Sequence, residues 1–109
     1  MIDSSRLVVV SGGGTGIGRE IARTQAAEGD RVVVLGRRGE LLRGAQVEIN
    51  DELGAERVFP VEADLTEPAQ VRRAVARIAE LGAVDTLVTN AGAIITLPAS
   101  DDLEALTAA

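Results

Sequence analysis

Five glycines lie within eight residues, in the segment SGGGTGIG at 11–18, directly after the apolar run LVVV at 7–10. Glycine loses more conformational freedom on folding than any other residue, so a run of this density indicates a backbone with a special task. A strand, a glycine-rich turn and a helix form the setting in which N–H groups at a helix N-terminus bind phosphate. The segment therefore predicts a phosphate-binding loop.

The spacing of the glycines selects one type of loop. Gly12, Gly16 and Gly18 fit the pattern GxxxGxG, with roles in a tight turn, the approach of a pyrophosphate and close helix–sheet packing. The loop GxxxxGK[ST] is excluded because Arg19 stands where lysine is required, and GxGxxG is excluded because Ile17 replaces its last glycine. A glycine-rich turn without a ligand is the alternative.

Two arginines follow the second apolar run, in the segment LGRRGE at 35–40. An acid at this place would bind the ribose 2′-hydroxyl of NAD, whereas a guanidinium binds a 2′-phosphate through charge-assisted bonds. Arg37 and Arg38 therefore favour NADP over NAD. They also argue against an S-adenosylmethionine methyltransferase, because such an enzyme would likewise need an acid here to bind the ribose of its cofactor. The alternative is a solvated pair at the start of a helix, where positive charge is unfavourable.

Short β-branched runs alternate with segments of helical period. Four strands are predicted, at 7–10, 31–35, 57–61 and 86–89. The three helices between them are predicted from 16–28, from Leu42, Ala45 and Ile49, and from Val71, Ala74, Val75 and Ile78. This alternation predicts an α/β fold, a Rossmann-type doubly wound parallel sheet of order 3-2-1-4. Pro60 agrees, because the third strand then lies at an edge.

Particular residues mark the ends of the helices. Left-handed caps are predicted at Gly29, Gly54 and Gly82. Thr66 is predicted to be the N-cap of the third helix, followed by Pro68 in the first turn.

The 109 residues predict a single domain, 1–109. Ser100 has the character of an N-cap, and Leu103 and Leu106 begin an apolar stripe. We therefore expect an incomplete, truncated domain that ends at the start of a fourth helix.

Composition excludes several classes of function. The net charge of −6 argues against nucleic acid or an anionic membrane as a partner. The chain has no cysteine and no histidine, and we predict no metal site. It also has no signal peptide and no apolar segment of 18 residues, so we expect a cytoplasmic location.

Four motifs in order, SGGGTGIG, GRR, ADLT and TNAG, resemble those of the NADP-preferring short-chain dehydrogenases/reductases. The resemblance runs from about Arg6 to the C-terminus, with Ser11 in place of the usual threonine and Thr89 in place of the commoner asparagine. It implies a bound NADP. Its cofactor contacts in the loop and after the second strand would be Gly12, Gly14, Thr15, Gly16, Ile17, Gly18, Arg37 and Arg38.

The remaining cofactor contacts that the resemblance implies follow the third and fourth strands. Asp64 matches the residue that meets the adenine amino group, with Leu65 beside it. Asn90, Ala91 and Gly92 match a turn that steadies the sheet and lies along the cofactor. Asp64 has an alternative role, that of preceding the Thr66 cap, and 90–92 has that of a plain strand-ending turn.

The family transfers hydride between nicotinamide and a small-molecule carbonyl or alcohol, using a Tyr-x-x-x-Lys motif, a serine and an asparagine. This chain contains no tyrosine and no lysine, so we predict no catalytic residue in it. Two hypotheses follow: the NADP-binding part of a reductase, which we expect to be a homo-oligomer when complete, or a free-standing, non-catalytic dinucleotide-binding module.

Overall fold

The computed structural model describes residues 5–90, so the predictions made for 91–109, including the fourth helix, lie outside the described residues. Strands and helices alternate along the described part, as the sequence predicts. In chain order they are β1 (Leu7–Ser11), α1 (Gly16–Ala27), β2 (Arg31–Gly36), α2 (Gly39–Leu53), β3 (Val58–Glu62), α3 (Pro68–Ala79) and β4 (Thr86–Val88). Within residues 5–90, no helix is long and apolar enough to cross a membrane.

The four strands form one parallel sheet in the order β3-β2-β1-β4, which confirms the predicted topology. β1 pairs with β2 from Leu7 to Ser11, one residue beyond the predicted end of the strand. Pro60 of β3 lies opposite Val34 of β2, and among the described strands β3 pairs only with β2. An edge strand tolerates the missing N–H of proline, which accounts for Pro60 there.

Both faces of the two central strands are buried, which explains their continuous valine and leucine runs. Side chains on one face pack against α1 and α2, and those on the other face pack against α3. The first group includes Val8, Val10, Val32 and Val34. The second includes Leu7, Val9, Val33 and Leu35. Helices on both sides of the sheet therefore give two core layers within the described residues.

The predicted glycines end the helices, whereas the predicted N-cap is wrong. Gly54 follows α2 with φ 66° and ψ 27°, its N–H donates to the Asp51 carbonyl, and that of Ala55 donates to the Asn50 carbonyl. Gly29 and Gly82 also have positive φ. The N-cap of α3 is Glu67 rather than Thr66. The Thr66 hydroxyl donates instead to the Asp64 carboxylate, at 2.7 Å.

One side chain fixes the start of β3 against the end of α2. Asn50 Oδ1 accepts the N–H groups of Arg57 and Val58 at 3.0 and 2.9 Å, and its Nδ2 donates to the Val58 carbonyl at 3.3 Å.

Asn50→Ala would leave these backbone groups without their protein partners. We expect the free energy of unfolding to fall by about 1–3 kcal/mol, measured by urea denaturation.

The control for this prediction is Asp51→Ala. Asp51 is the next residue of α2, and its side chain is exposed. We expect its change to stay within about 0.5 kcal/mol. Equal stability losses in the two variants would contradict the role assigned to Asn50.

Candidate functional site

The glycine loop begins with a sharp turn at the carboxyl end of β1. Gly12 has φ +69°, and its N–H donates to the Leu35 carbonyl at 2.7 Å. A Cβ on Gly12 would lie 2.5 Å from the carbonyl oxygen of Asn90. Both the backbone conformation and this close approach require glycine. The turn is therefore held between the ends of β2 and β4.

α1 starts directly against this turn. A Cβ on Gly18 would overlap the Gly12 carbonyl oxygen and lie 2.7 Å from Asn90 Nδ2. Even the single Cβ atom of an alanine does not fit there. The close packing of the helix on the sheet therefore depends on Gly18, as the sequence predicts.

The other side of the loop faces open space. Gly16 has φ +57°, and no atom of residues 5–90 lies within 4 Å of the position that its Cβ would take. Thr15, Gly16 and Ile17 are exposed, and Ile17 is 73% exposed although it is apolar. Within the described residues, α1 has no side-chain cap and no acid in its first turn. Its first N–H groups and positive dipole end are thus available to an anion.

The two middle glycines face the protein. A Cβ on Gly13 would lie 2.7 Å from Val34 Cγ1, and one on Gly14 would lie 3.1 Å from Leu41 Cβ. Both residues are buried. The high glycine content of the loop thus serves internal packing as well as its open face. Sequence reasoning missed this role, because it depends on side chains of β2 and α2.

The predicted residues after β2 and β3 lie at the same edge of the sheet as the loop. The Gly12 N–H donates to the Leu35 carbonyl, and the Ala63 N–H donates to the Gly36 carbonyl at 2.8 Å. These bonds join the ends of three adjacent parallel strands. Arg37, Arg38 and Asp64 therefore follow neighbouring strands at one edge, although they are far apart in sequence.

Arg37 and Arg38 are exposed, and between residues 5 and 90 neither forms an ion pair. Other arginines of the chain do find acids: Arg19 pairs with Glu48, and Arg23 pairs with Glu20, Glu48 and Glu52. The arginine pair therefore carries positive charge that no carboxylate of residues 5–90 contacts in an ion pair. The same stretch of the chain contains no cluster of acids that could hold a metal ion.

Asp64 forms a local turn. Its Oδ1 accepts the Thr66 hydroxyl at 2.7 Å and the Thr66 N–H at 3.0 Å. These two hydrogen bonds lower the pKa of the Asp64 carboxyl, and the positive charge of Arg37 contributes less in the same direction. Oδ2 accepts no hydrogen bond from residues 5–90. Asp64 thus has a structural role and retains one oxygen for another partner.

The last predicted residues follow β4. The Asn90 N–H donates to the Ser11 hydroxyl oxygen at 3.0 Å, which links the end of β4 to the end of β1. Asn90 also borders Gly12 and Gly18, as the positions of their absent Cβ atoms show. Ala91 and Gly92 lie outside the described residues. Leu65, predicted beside the adenine, is half-buried and packs against the core on the α3 side of the sheet.

The arrangement of loop, arginines and strand ends has a counterpart among known proteins. The family model described as short chain dehydrogenase matches residues 6–107. The chain belongs to the short-chain dehydrogenase family. Its members are oxidoreductases with a nucleotide-binding fold, and the glycine loop, the arginine pair and Asp64 all lie within the matched region.

Individual relatives agree with the family match. An uncharacterized oxidoreductase of Bacillus subtilis, YuxG, is 35% identical over 87% of this chain, which spans 14% of that protein. The structure of L-sorbose reductase from Gluconobacter frateurii, complexed with NADPH, is similar with a TM-score of 0.74 and 30% identity. A 3-ketoacyl-(acyl-carrier-protein) reductase from Brucella melitensis, complexed with NADH, has a TM-score of 0.67 and 28% identity.

This short-chain dehydrogenase chain spans only a part of these relatives. The match to the sorbose reductase includes 93% of this chain and 40% of the reductase. The match to the ketoacyl reductase includes 75% of this chain and 32% of that protein.

The hydrogen bonds to Asp64 predict a pH effect. Thr66→Val removes the hydroxyl donor and keeps the backbone N–H, so we expect the pKa of Asp64 to rise while remaining below its ordinary value of 3.8. A lowered pKa stabilises the fold above the unfolded-state pKa, and this stabilisation disappears as the pH falls through the folded-state pKa. The measurement is the NMR chemical shift of the Asp64 carboxyl carbon between about pH 2 and 6, the range in which carboxylates titrate.

The control for this titration is Thr24→Val. The Thr24 hydroxyl donates to the Glu20 carbonyl at 2.9 Å, within α1 and away from Asp64. We expect the Asp64 titration to be unchanged in this variant. An unchanged midpoint in Thr66→Val would show that the hydroxyl is not the cause of the low pKa.

Proposed function

We propose that this chain is the NADP(H)-binding part of a short-chain dehydrogenase/reductase that transfers hydride between nicotinamide and a small carbonyl or alcohol substrate. The observation that carries the proposal is the convergence of two anion-binding features at one edge of the sheet. One is the open start of α1 beside Gly16, and the other is the arginine pair after β2; within residues 5–90 the helix has no side-chain cap and the arginines form no ion pair. A dinucleotide with a 2′-phosphate supplies anions of matching number and kind.

The chain's own residues divide the binding of this cofactor among them. The backbone around Gly16 and Ile17 would bind the pyrophosphate. A Cβ on Gly16 would meet no atom of the described residues within 4 Å, so a ligand has room there without displacing a side chain. Arg37 and Arg38 would bind the 2′-phosphate. The second carboxylate oxygen of Asp64 would accept the adenine amino group, in agreement with the family pattern. The bound cofactor supplies or accepts the hydride.

The choice of NADP rests on the arginines rather than on the fold. Both NADPH and NADH occur in complexes of the similar reductases. An acid that would prefer the ribose hydroxyl of NAD is absent from the end of β2, where Gly36, Arg37 and Arg38 follow one another.

The substrate, the oligomer and the location of the complete protein are also proposals. The family supports a small-molecule carbonyl or alcohol as substrate and a homo-oligomer as the assembly. The acidic net charge of −6 supports a protein without a nucleic-acid partner. A cytoplasmic location remains a prediction of the sequence.

A free-standing binding module is the second candidate function, and one observation favours it. The 109 residues contain neither the tyrosine nor the lysine that the family uses for proton transfer. Cofactor binding is common to both candidates, whereas catalysis belongs to the first and requires residues that these 109 do not supply.

Arg37→Asp tests the cofactor choice. The variant removes a charge-assisted bond to the 2′-phosphate and adds a repelling carboxylate, so we expect NADP binding to weaken by about 1.5–3 kcal/mol. NAD binding, in contrast, should weaken little or improve. Titration calorimetry with both cofactors measures the effect.

Arg72→Asp is the matched control for Arg37→Asp. Arg72 is an exposed residue of α3, and the substitution changes the net charge by the same amount. We expect little change in the affinity for either cofactor. Tighter binding of NAD than of NADP by the unmodified chain would overturn the NADP assignment.

A turnover assay tests the prediction that this chain binds cofactor without catalysis. General acid catalysis typically contributes about 10²–10⁴-fold, and no residue here takes the role of the family's tyrosine. We therefore expect the chain to oxidise NADPH no faster than buffer does with a panel of ketones, followed by absorbance at about 340 nm, the nicotinamide band of the reduced cofactor. Carbonyl-dependent NADPH loss proportional to protein concentration, and abolished by Gly16→Trp, would contradict this prediction.

A further inference from the structure

Gly14 is a glycine for which backbone conformation gives no reason. Its φ is not positive, unlike those of Gly12 and Gly16, so an alanine could adopt its backbone angles. It is buried, and a Cβ on it would lie 3.1 Å from Leu41 Cβ and 3.4 Å from the Leu41 carbonyl carbon. The constraint on Gly14 therefore comes from α2, not from the turn itself.

The residue that Gly14 contacts belongs to the first turn of α2. The Leu41 N–H donates to the Arg38 carbonyl at 3.0 Å, and the Leu42 N–H donates to the same carbonyl at 3.2 Å. Leu42 is almost fully buried and anchors this turn in the core. A displacement of Leu41 is thus transmitted to Arg38 through a direct backbone hydrogen bond, and to Arg37 through the next peptide bond.

We propose that the contact between Gly14 and Leu41 positions the start of α2, and with it Arg37 and Arg38, at the distance from the glycine loop that NADP requires. This inference rests on the proposed function. In it, Gly14 is a positioning residue for cofactor selectivity and acts through Leu41. The pyrophosphate is common to NAD and NADP, whereas the 2′-phosphate belongs to NADP alone. A shift of α2 relative to the loop therefore affects the binding of NADP more than that of NAD.

Gly14→Ala tests this inference, with dissociation constants for both NADP and NAD measured by calorimetry on the 109-residue chain. The added methyl group pushes the first turn of α2 away from the loop. We expect the dissociation constant for NADP to rise about tenfold and that for NAD to change less than about twofold, because a charge-assisted bond weakens steeply with misplacement. A merely structural role would change both constants by the same factor.

The chain offers a matched control and a rescue. Gly44→Ala also adds a methyl group to a glycine, on α2 itself, at a position where no atom of the described residues lies within 4 Å. We expect it to leave the ratio of the two constants unchanged. Gly14→Ala combined with Leu41→Gly removes the Cβ that the new methyl meets, and it should restore the ratio of the unmodified chain.

Each outcome has a definite meaning. Selective loss of NADP binding in Gly14→Ala, restored by the double variant, supports the inference. Equal losses for the two cofactors, or no loss, overturn it. If Gly14→Ala does not fold, the double variant decides: the unmodified ratio supports the inference, and an altered ratio or a failure to fold overturns it. A preference of the unmodified chain for NAD would instead overturn the proposed function.

Discussion

The structure depends on the close approach of three backbone segments at Gly12, Gly18 and Asn90. The turn after β1, the first turn of α1 and the end of β4 meet where a single added Cβ would overlap a carbonyl oxygen. This approach places the positive end of the α1 dipole at the carboxyl edge of the sheet, between the ends of its strands. A larger residue at Gly12 or Gly18 would separate helix and sheet, and the core between them would lose its packing.

Among residues 5–90, two arginines of α1 form ion pairs, whereas the two arginines at the carboxyl edge of the sheet form none. On the outer surface of α1 and α2, Arg19 and Arg23 are neutralised by acids of both helices. Exposed pairs of this kind contribute little to stability, although they cancel the local field. Arg37 and Arg38 have no such partner among residues 5–90, and the charge of Arg37 reaches Asp64 across the end of β3. The two arginines at the carboxyl edge of the sheet therefore keep charges that form no ion pair with residues 5–90.

The sequence predicted the strand order and the alternation of elements, because these depend on local patterns of valine, glycine and helical period. The cofactor contacts assigned to the edge of the sheet stay predictions. It failed at Thr66, where a threonine before Glu-Pro has the local pattern of an N-cap. The Asp64 carboxylate competes for that hydroxyl and wins, which moves the cap to Glu67. The packing roles of Gly13 and Gly14 were equally unpredictable, since their neighbours lie on β2 and α2. Contacts between distant segments leave no periodic trace in the sequence.

The position of β4 in the sheet has a consequence for the order of folding. β1 and β2 pair although they are about 24 residues apart in sequence, as are the hydrogen-bonded residues Arg6 and Asp30. β1 and β4 are about 78 residues apart, as are the hydrogen-bonded residues Leu7 and Asp85. The entropy of closing a loop grows with the logarithm of its length, so the second closure costs about 1 kcal/mol more. β4 also pairs over only three residues. We therefore expect the sheet to assemble from β1 and β2 outward, with Asn90 reaching the Gly12 turn in a late step.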